Sequence, residues 1–437
     1  MRMALGGGSF LTQNKVLPGA YINFISKFMA GAALSDRGIV TLPLELDWGP
    51  EGEVFTLSSE DFQKSSLKLL GYSYGHEKLK GLRDLFLNAK TLYTYRLNSG
   101  GTKASNTFAE AKYPGKRGND LRIVIRKNAD EPSHFDVMTY LLDSREDLQT
   151  VSAASELTAN DFVTWKSGAT LAETAATPLT GGSNGTVNGA SYQGYLQKIE
   201  AYHYNVMGVL STDGTTLKLF NAFQKRLRDE VGVKFQLVSY RNPADNFGVI
   251  SVENKVLDAG WDEASLVYWV AGLEAGCEVN RSCQNRKYDG EFTVETKETQ
   301  SQLIEGILAG KFLVHLVNGV PRVLEDINTL VSVTETVGEI FKDNQTVRVA
   351  DQIGNDIASL FASKYLGVIP NKASGRMSLW ADIVKLCQEL QDLGAIEDFE
   401  DKAVTVERGS TKKSVVVNTD ISVVNAMGKL YMSVVIQ

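Results

Sequence analysis

A chain of 437 residues is too long for one ordinary hydrophobic core, so two to four domains are expected. Apolar residues at 43% and charged residues at 22% are ordinary globular composition and argue against disorder. A net charge of −7, with no Lys/Arg run interleaved with aromatics, speaks against direct nucleic-acid binding.

Three cysteines (Cys277, Cys283, Cys387) make no even disulfide framework, and no segment approaches the length of a membrane span. The expectation is a protein folded in a reducing cytoplasm, with no direct membrane contact.

Residues 1–30 read as an arm. Gly6-Gly7-Gly8 precede "VLPGAYINFI", where Ala20, Ile22 and Phe24 alternate as in a short strand around Tyr21. From Gly38 strand and helix alternate: "GIVTLPLELDW" is a strand, and Ser58 and Asp61 open a helix in capping-box spacing. A second helix leads into the strand Thr91 to Leu97. Residues 98–189 are short β-rich runs separated by Gly, Pro, Asn and Asp, as in a small all-β domain. The α/β rhythm then resumes over 190–300. An α/β body (31–97 and 190–300) interrupted by an inserted β-rich domain is therefore expected.

Residues 301–427 predict an α+β C-terminal domain. Asn318-Gly319 signals a hairpin. Val347 to Tyr365 and Met377 to Leu393 each put apolar residues on one helical face, Gly394 following the second where a C-cap is wanted. A hairpin with Val404, Val406, Val415 and Val417 comes next. The final stretch, 428–437, is apolar on both faces, with Leu430, Met432, Val434 and Ile436 alternating. Such a strand at a free end is an aggregation hazard unless something pairs with it.

Chemical motifs are thin. Gly181-x-Ser183-x-Gly185 has nucleophile-elbow spacing but neither the preceding core strand nor the immediate helix that chemistry needs, so a loop is expected. Gly306-x-x-x-Gly310-Lys311 is one residue short of a phosphate loop, and Phe312 stands where magnesium would need a hydroxyl. Cys277 and Cys283 lack C-x-x-C spacing, the four histidines are scattered, and Glu397 to Asp401 lacks calcium-loop spacing. No nucleophile, base and orienting group come together, so no enzyme, cofactor or metal is expected.

Two strand-like ends on flexible tethers, each without an obvious intrachain partner, suit addition to an open sheet edge of a neighbouring copy. Such a heterologous contact propagates into rings or helices. The order of motifs resembles the tail sheath proteins of contractile bacteriophages and related phage-tail-like bacteriocins. The resemblance rests on "LPGAYINF", on "LTGGSNG" followed by a helix carrying Tyr192 and Tyr195, and on the closing pattern of helix, Gly-x-Ile, hairpin and terminal strand. Where the family commonly has Asp in the glycine loop, this chain has Asn184.

The resemblance implies a structural subunit polymerising in six-membered rings around an inner tube and contracting to drive the tube through a cell envelope. Its implied partners are sheath neighbours, the tube protein, baseplate and terminator. Its implied place is a virion tail or bacteriocin particle assembled in the bacterial cytoplasm. Arm strands would be Ala20, Tyr21, Ile22 and Phe24 and Leu430 to Ile436, accepted by the sheet around Val404, Val406, Val415 and Val417. Lys364, Lys372 and Lys385 are candidates for facing an acidic tube, against the plainer reading of a solvated face. The rival readings are an α/β enzyme and a glycan-binding protein using Trp165 and Phe135 as a platform.

Overall fold

The computed structural model describes residues 34–436. The first body segment contributes β1 (Ile39–Leu44), β2 (Val54–Ser58), α1 (Ser59–Leu70), α2 (Lys80–Phe86) and β3 (Thr91–Arg96). The Ser58 hydroxyl accepts from the Asp61 amide, and Gly71 closes α1 in the left-handed region at φ 78°. The insertion holds β4 (Ala109–Ala111), β5 (Leu121–Lys127), β6 (Phe135–Leu141), β7 (Ser144–Val151), β8 (Val163–Trp165) and β9 (Thr174–Pro178). The body resumes with α3 (Gly189–Ile199), β10 (Val206–Val209), α4 (Gly214–Arg226), β11 (Gln236–Tyr240), β12 (Val249–Val252) and α5 (Leu266–Gly276). Next come α6 (Gln300–Leu308), β13 (Lys311–Phe312), β14 (Val314–Val317) and β15 (Val320–Val323).

The body sheet runs β13-β12-β11-β10-β1-β3-β2, parallel except for the antiparallel β2–β3 pair. Parallel strands covered on both faces must be apolar on both, and β10 and β12 are buried at every position. One face packs on α2 and α5 around Leu82, Leu85 and Trp269; the other packs on α3 and α4 around Tyr195, Phe220 and Phe223.

The boundary expected at residue 300 does not separate two domains. β13 pairs with β12 as the edge of the body sheet, and Val314 and Val323 of the following hairpin sit in the body core. A hairpin signal is local: Asn318 (φ 51°) and Gly319 (φ 81°) determine the turn but not the sheet it packs against.

The insertion is a four-stranded antiparallel sheet, β7-β6-β5-β9, with the pair β4–β8 beside it. Its core is closed by Trp48 of the body, edge-on to Tyr113 at 5.4 Å. Trp165 and Phe135 pack against this core, and the Trp165 indole donates to the Thr158 carbonyl, so they form no exposed glycan platform.

Outgoing and returning chains run side by side where the insertion joins the body. Thr102 and Ser183 exchange backbone hydrogen bonds at 3.1 and 3.0 Å, and the Gly185 amide donates to the Asn98 carbonyl. Ser183 is thus part of a two-stranded joint, its hydroxyl 2.9 Å from that of Thr102. A Cβ on Gly185 would lie 1.9 Å from the Ser99 carbonyl oxygen, a backbone atom that cannot swing aside. Gly185→Ala is expected to cost about 1–3 kcal/mol, read as a lowered thermal midpoint. Gly189→Ala, where a Cβ meets nothing within 4 Å, should leave the midpoint unchanged or slightly raised. Equal melting of the two variants would remove the close-approach explanation.

The C-terminal unit contains α7 (Asn344–Leu360), which runs on through a wider turn at Phe361–Tyr365, then α8 (Ala373–Asp392). After these come β16 (Ile396–Glu397), β17 (Val404–Arg408), β18 (Val415–Thr419) and β19 (Ser422–Val423). The Asp343 carboxylate caps α7 by accepting from the Gln345 and Thr346 amides. Gly394 follows α8 with φ 74°. The result is a mixed α+β, multidomain chain.

Candidate functional site

The α7 helix joins the C-terminal unit to the body. Its expected apolar face is present: Ile353, Ile357, Leu360, Phe361 and Tyr365 pack with α8. A second buried face, made of Gln345, Arg348, Asp351, Gln352 and Asp356, meets the body with polar groups. Arg228 forms a buried ion pair with Asp351, and Gln236 donates to Asn344 at 2.9 Å. Asn355 exchanges two hydrogen bonds with the backbone of Lys234.

At the centre of this junction, Arg348 Nη2 lies 2.6 Å from Glu274 Oε2 on α5, 3.4 Å from Asp326 Oδ2 and 3.7 Å from Cys283 Sγ. Those three residues are the one described group whose side-chain donors could surround a metal ion. The guanidinium occupies their shared centre and is itself the cation of the cluster. Burial pushes the Glu274 carboxyl well above its ordinary range, with the neighbouring Asp326 charge adding to it. Asp326 is equally buried, but Arg348 and hydrogen bonds from the Cys283 amide and Asn344 hold it below the ordinary carboxylate value.

The same helix anchors both ends of the described chain. Ser35 donates its amide and hydroxyl to Asp356, and Gln352 donates back to Ser35. At the other end, Gln345 donates to the Val424 carbonyl and accepts from the Ala426 amide, and Thr346 contacts Asn425. Residues 345 and 356 are eleven apart, so the two ends leave α7 about 16 Å from each other.

Beyond this anchor the chain turns outward. Leu430, Met432, Val434 and Ile436 are 87%, 75%, 70% and 91% exposed, and Tyr431 and Val435 are exposed as well. No strand pairing involves residues 424–436 in the described structure. Ten extended residues reach about 33 Å.

The hairpin β17–β18 lies against α8, with Val404 buried, Val406, Val415 and Val417 half-buried, and the Trp380 indole donating to the Val404 carbonyl at 3.0 Å. Among the described residues neither outer edge of this hairpin is paired. Beside β17 a groove of about 360 Å³ is lined by Arg376, Met377, Trp380, Val404 and Val406. The structure therefore sets an open edge, an apolar groove and an exposed apolar tail on one C-terminal unit.

Four sequence families match consecutive stretches of the chain. They are the tail sheath protein Gp18 domain III N-terminal region (37–97), the phage tail sheath protein β-sandwich domain (99–184), its central domain (185–329) and its C-terminal domain (336–437). The chain belongs to the phage tail sheath protein family.

Within that family it is 32% identical to the phage-like element PBSX protein XkdK of Bacillus subtilis (strain 168), over 98% of this chain and 99% of the relative. The crystal structure of the sheath tail protein of Desulfitobacterium hafniense has a TM-score of 0.81 at 37% identity, covering 95% of this chain and 99% of that one. The helical sheath of the anti-feeding prophage in its contracted state shares the fold at a TM-score of 0.56 and 12% identity, covering 97% and 99%.

The sheath residues singled out from sequence fall in different settings. Ala20, Tyr21, Ile22 and Phe24 lie outside the described residues. Lys364 is ion-paired with Asp382 at 2.6 Å, and Lys385 lies 3.7 Å from Glu389. Lys372 is exposed at the N-cap position of α8, without an ion-pair partner among the described residues. Two of the three lysines thus already have an acidic partner in their own chain.

Arg348, Glu274 and Asp326 were not legible as a unit, because nothing local in the sequence links helix α5 to a residue 74 positions later. Asn184 carries more than the glycine loop suggested. Its amide donates to Asp47 at 2.7 Å, and its oxygen accepts from the Lys116 amide, tying the returning chain to both body and insertion. No helix among the described residues is long and apolar enough to cross a membrane.

Proposed function

We propose that this chain is the subunit of a contractile tail sheath. Copies polymerise as stacked six-membered rings around an inner tube, and the sheath contracts to drive that tube through a target cell envelope. The observation that carries this reading is the exposed apolar tail, 430–436, on a unit that also presents an unpaired hairpin edge and an adjoining apolar groove. A strand donated by one copy to the edge of the next satisfies main-chain hydrogen bonds and covers alternate side chains in one step. Residues 20–24 would supply the other arm, and the sheet around Val404, Val406, Val415 and Val417 would receive both.

The energy for contraction is conformational. One packing of rigid subunits gives way to another with more buried interface, while the arms keep the mesh connected. Support for arms that carry tension comes from α7, which holds both ends of the described chain through Asp356 and Gln345. Baseplate, tube and terminator proteins are the partners in this reading, and assembly takes place in the bacterial cytoplasm. A virion tail and a phage-tail-like bacteriocin would use the same subunit chemistry. Electron microscopy of the concentrated pure protein is expected to show striated tubes of constant width. A monodisperse monomer at every concentration and salt condition would reject the reading.

A further inference from the structure

Both ends of the described chain are gripped in the same manner, along one stripe of α7. Gln345, Gln352 and Asp356, seven and four residues apart, share a face of the helix, and all three are buried. At the C-terminal root the Gln345 side-chain amide donates to the Val424 carbonyl and accepts from the Ala426 amide, each at 3.0 Å. A residue of a parallel strand set opposite Asn425 would make that same pair of bonds. Gln345 thus stands in for a neighbouring strand just past the pairing of β19 with β16, where Val423 faces Ile396. Beyond it, Met427 and the apolar side chains of 430–436 are exposed.

At the N-terminal root, Asp356 accepts from the Ser35 amide at 3.3 Å and from its hydroxyl at 2.5 Å, while Gln352 donates to the Ser35 carbonyl at 3.1 Å. Gln352 also donates to Asp356 at 2.7 Å, which holds the pair in place for its target. Each clamp therefore binds main-chain groups, so it fixes the path of the backbone whatever side chains follow. The helix that carries both clamps is itself held to the body by the buried pairs Arg228–Asp351 and Arg348–Glu274. Both exits are fixed relative to the body as well as to each other.

We propose that Gln345 and the Gln352–Asp356 pair are positioning residues for the two arms, fixing where each leaves the subunit. The inference rests on the sheath reading, in which segments 20–24 and 430–436 are donated to neighbouring copies. A tethered strand meets its acceptor edge at an effective concentration set by the length and stiffness of the tether. With the C-terminal clamp closed, only 427–429 separate the last held residue, Ala426, from the strand. With it open, the free tether runs back to the Val423 pairing and spans 424–429. The added residues then have to be ordered on assembly, and each one ordered at that step weakens the contact.

Three variants of the full-length chain test this. Gln345→Met keeps most of the side-chain volume on α7 and removes both bonds of the C-terminal clamp. Ala426→Pro removes the N–H from the arm side and leaves α7 whole. Ser35→Pro does the same at the other root, taking away the amide and hydroxyl that Asp356 accepts from. In the monomer, hydrogen exchange read by mass spectrometry should be at least ~10-fold faster over 422–426 in the first two variants, with α7 and the β17–β18 hairpin exchanging as in wild type. Assembly, followed by light scattering and electron microscopy, should need at least ~10-fold more protein in each of the three. Loss of α7 protection together with that of 422–426 in both C-terminal variants would make Gln345 a packing residue and overturn the proposal. Variant tubes appearing at the wild-type concentration would overturn it too, leaving the sheath reading intact. A wild-type chain that forms no tubes would remove the sheath reading and this inference with it.

Discussion

A chain lacking Gly428 to Gln437 should fold normally, stay monomeric and form no tubes. The deleted residues make almost no contact within their own subunit, where the large side chains of 430–436 are exposed, so folding loses nothing. Assembly would lose much more. Covering Leu430, Met432, Val434 and Ile436 is worth about 1.5–3 kcal/mol for each side chain when complete, and each main-chain bond of a donated strand adds roughly 0.5–1.5 kcal/mol net. Every subunit in a mesh repeats that contact. A milder version, Val434→Asp with Met432→Asp, places charge at alternate positions of the donated strand and should raise the concentration needed for polymerisation at least ~10-fold. Circular dichroism and light scattering of the truncated chain separate misfolding from failed assembly, and electron microscopy reads the outcome. Regular tubes built from the truncated chain would refute strand donation by the C-terminal arm while leaving family membership untouched.

Replacing Arg348 with Met is expected to destabilise the subunit by about 3–5 kcal/mol, the cost of leaving buried carboxyls without their cation. Met fills much of the same volume, so the loss is chiefly electrostatic. Burial already pushes the Glu274 carboxyl well above its ordinary range. Asp326 is kept ionised by Arg348, and without it burial would raise Asp326 as well. A carboxyl raised above its unfolded value contributes stability at low pH and loses it as pH rises through the folded value. The deficit of Arg348→Met should therefore be smaller at pH 5 than at pH 8. Adding Asp326→Asn to Arg348→Met should recover part of the loss and flatten that dependence. Thermal melts across pH check all of this, and an unchanged midpoint in Arg348→Met at pH 8 would show that the cluster contributes nothing.

Much of the architecture was legible because it rests on apolar periodicity and on turn chemistry. Period-2 and period-3.6 runs located most strands and helices, Ser58 and Asp61 marked the start of α1, and Asn318-Gly319 marked a hairpin that is present. The change from an α/β rhythm to short β runs and back was visible as composition, and the glycines of "LTGGSNG" as the loop where the insertion returns to the body. The apolar ending stood out because free chain ends rarely look that way. The edge strand β13 was assigned to the wrong side of a boundary: two residues pairing with β12 leave no periodic trace.

The polar face of α7 was illegible for a different reason. Nothing in the sequence distinguishes Arg348, Asp351, Gln352 and Asp356 from a solvated surface, since a charged residue looks the same whether water or a buried partner neutralises it. Which charges are desolvated depends on which elements approach, and the approach of α5 and of the Ser35 segment to α7 is a long-range matter.

The sequence by itself determined the elements, the interrupted domain and the unpartnered ending, because each is written in local propensity and in the placing of apolar side chains. Only the tertiary structure decided the strand order, the joint at Ser183, and the choice of α7 as the common anchor of both ends of the described chain. Those depend on close approach between distant segments, where a missing Cβ at Gly185 or one guanidinium between two carboxyls settles what fits.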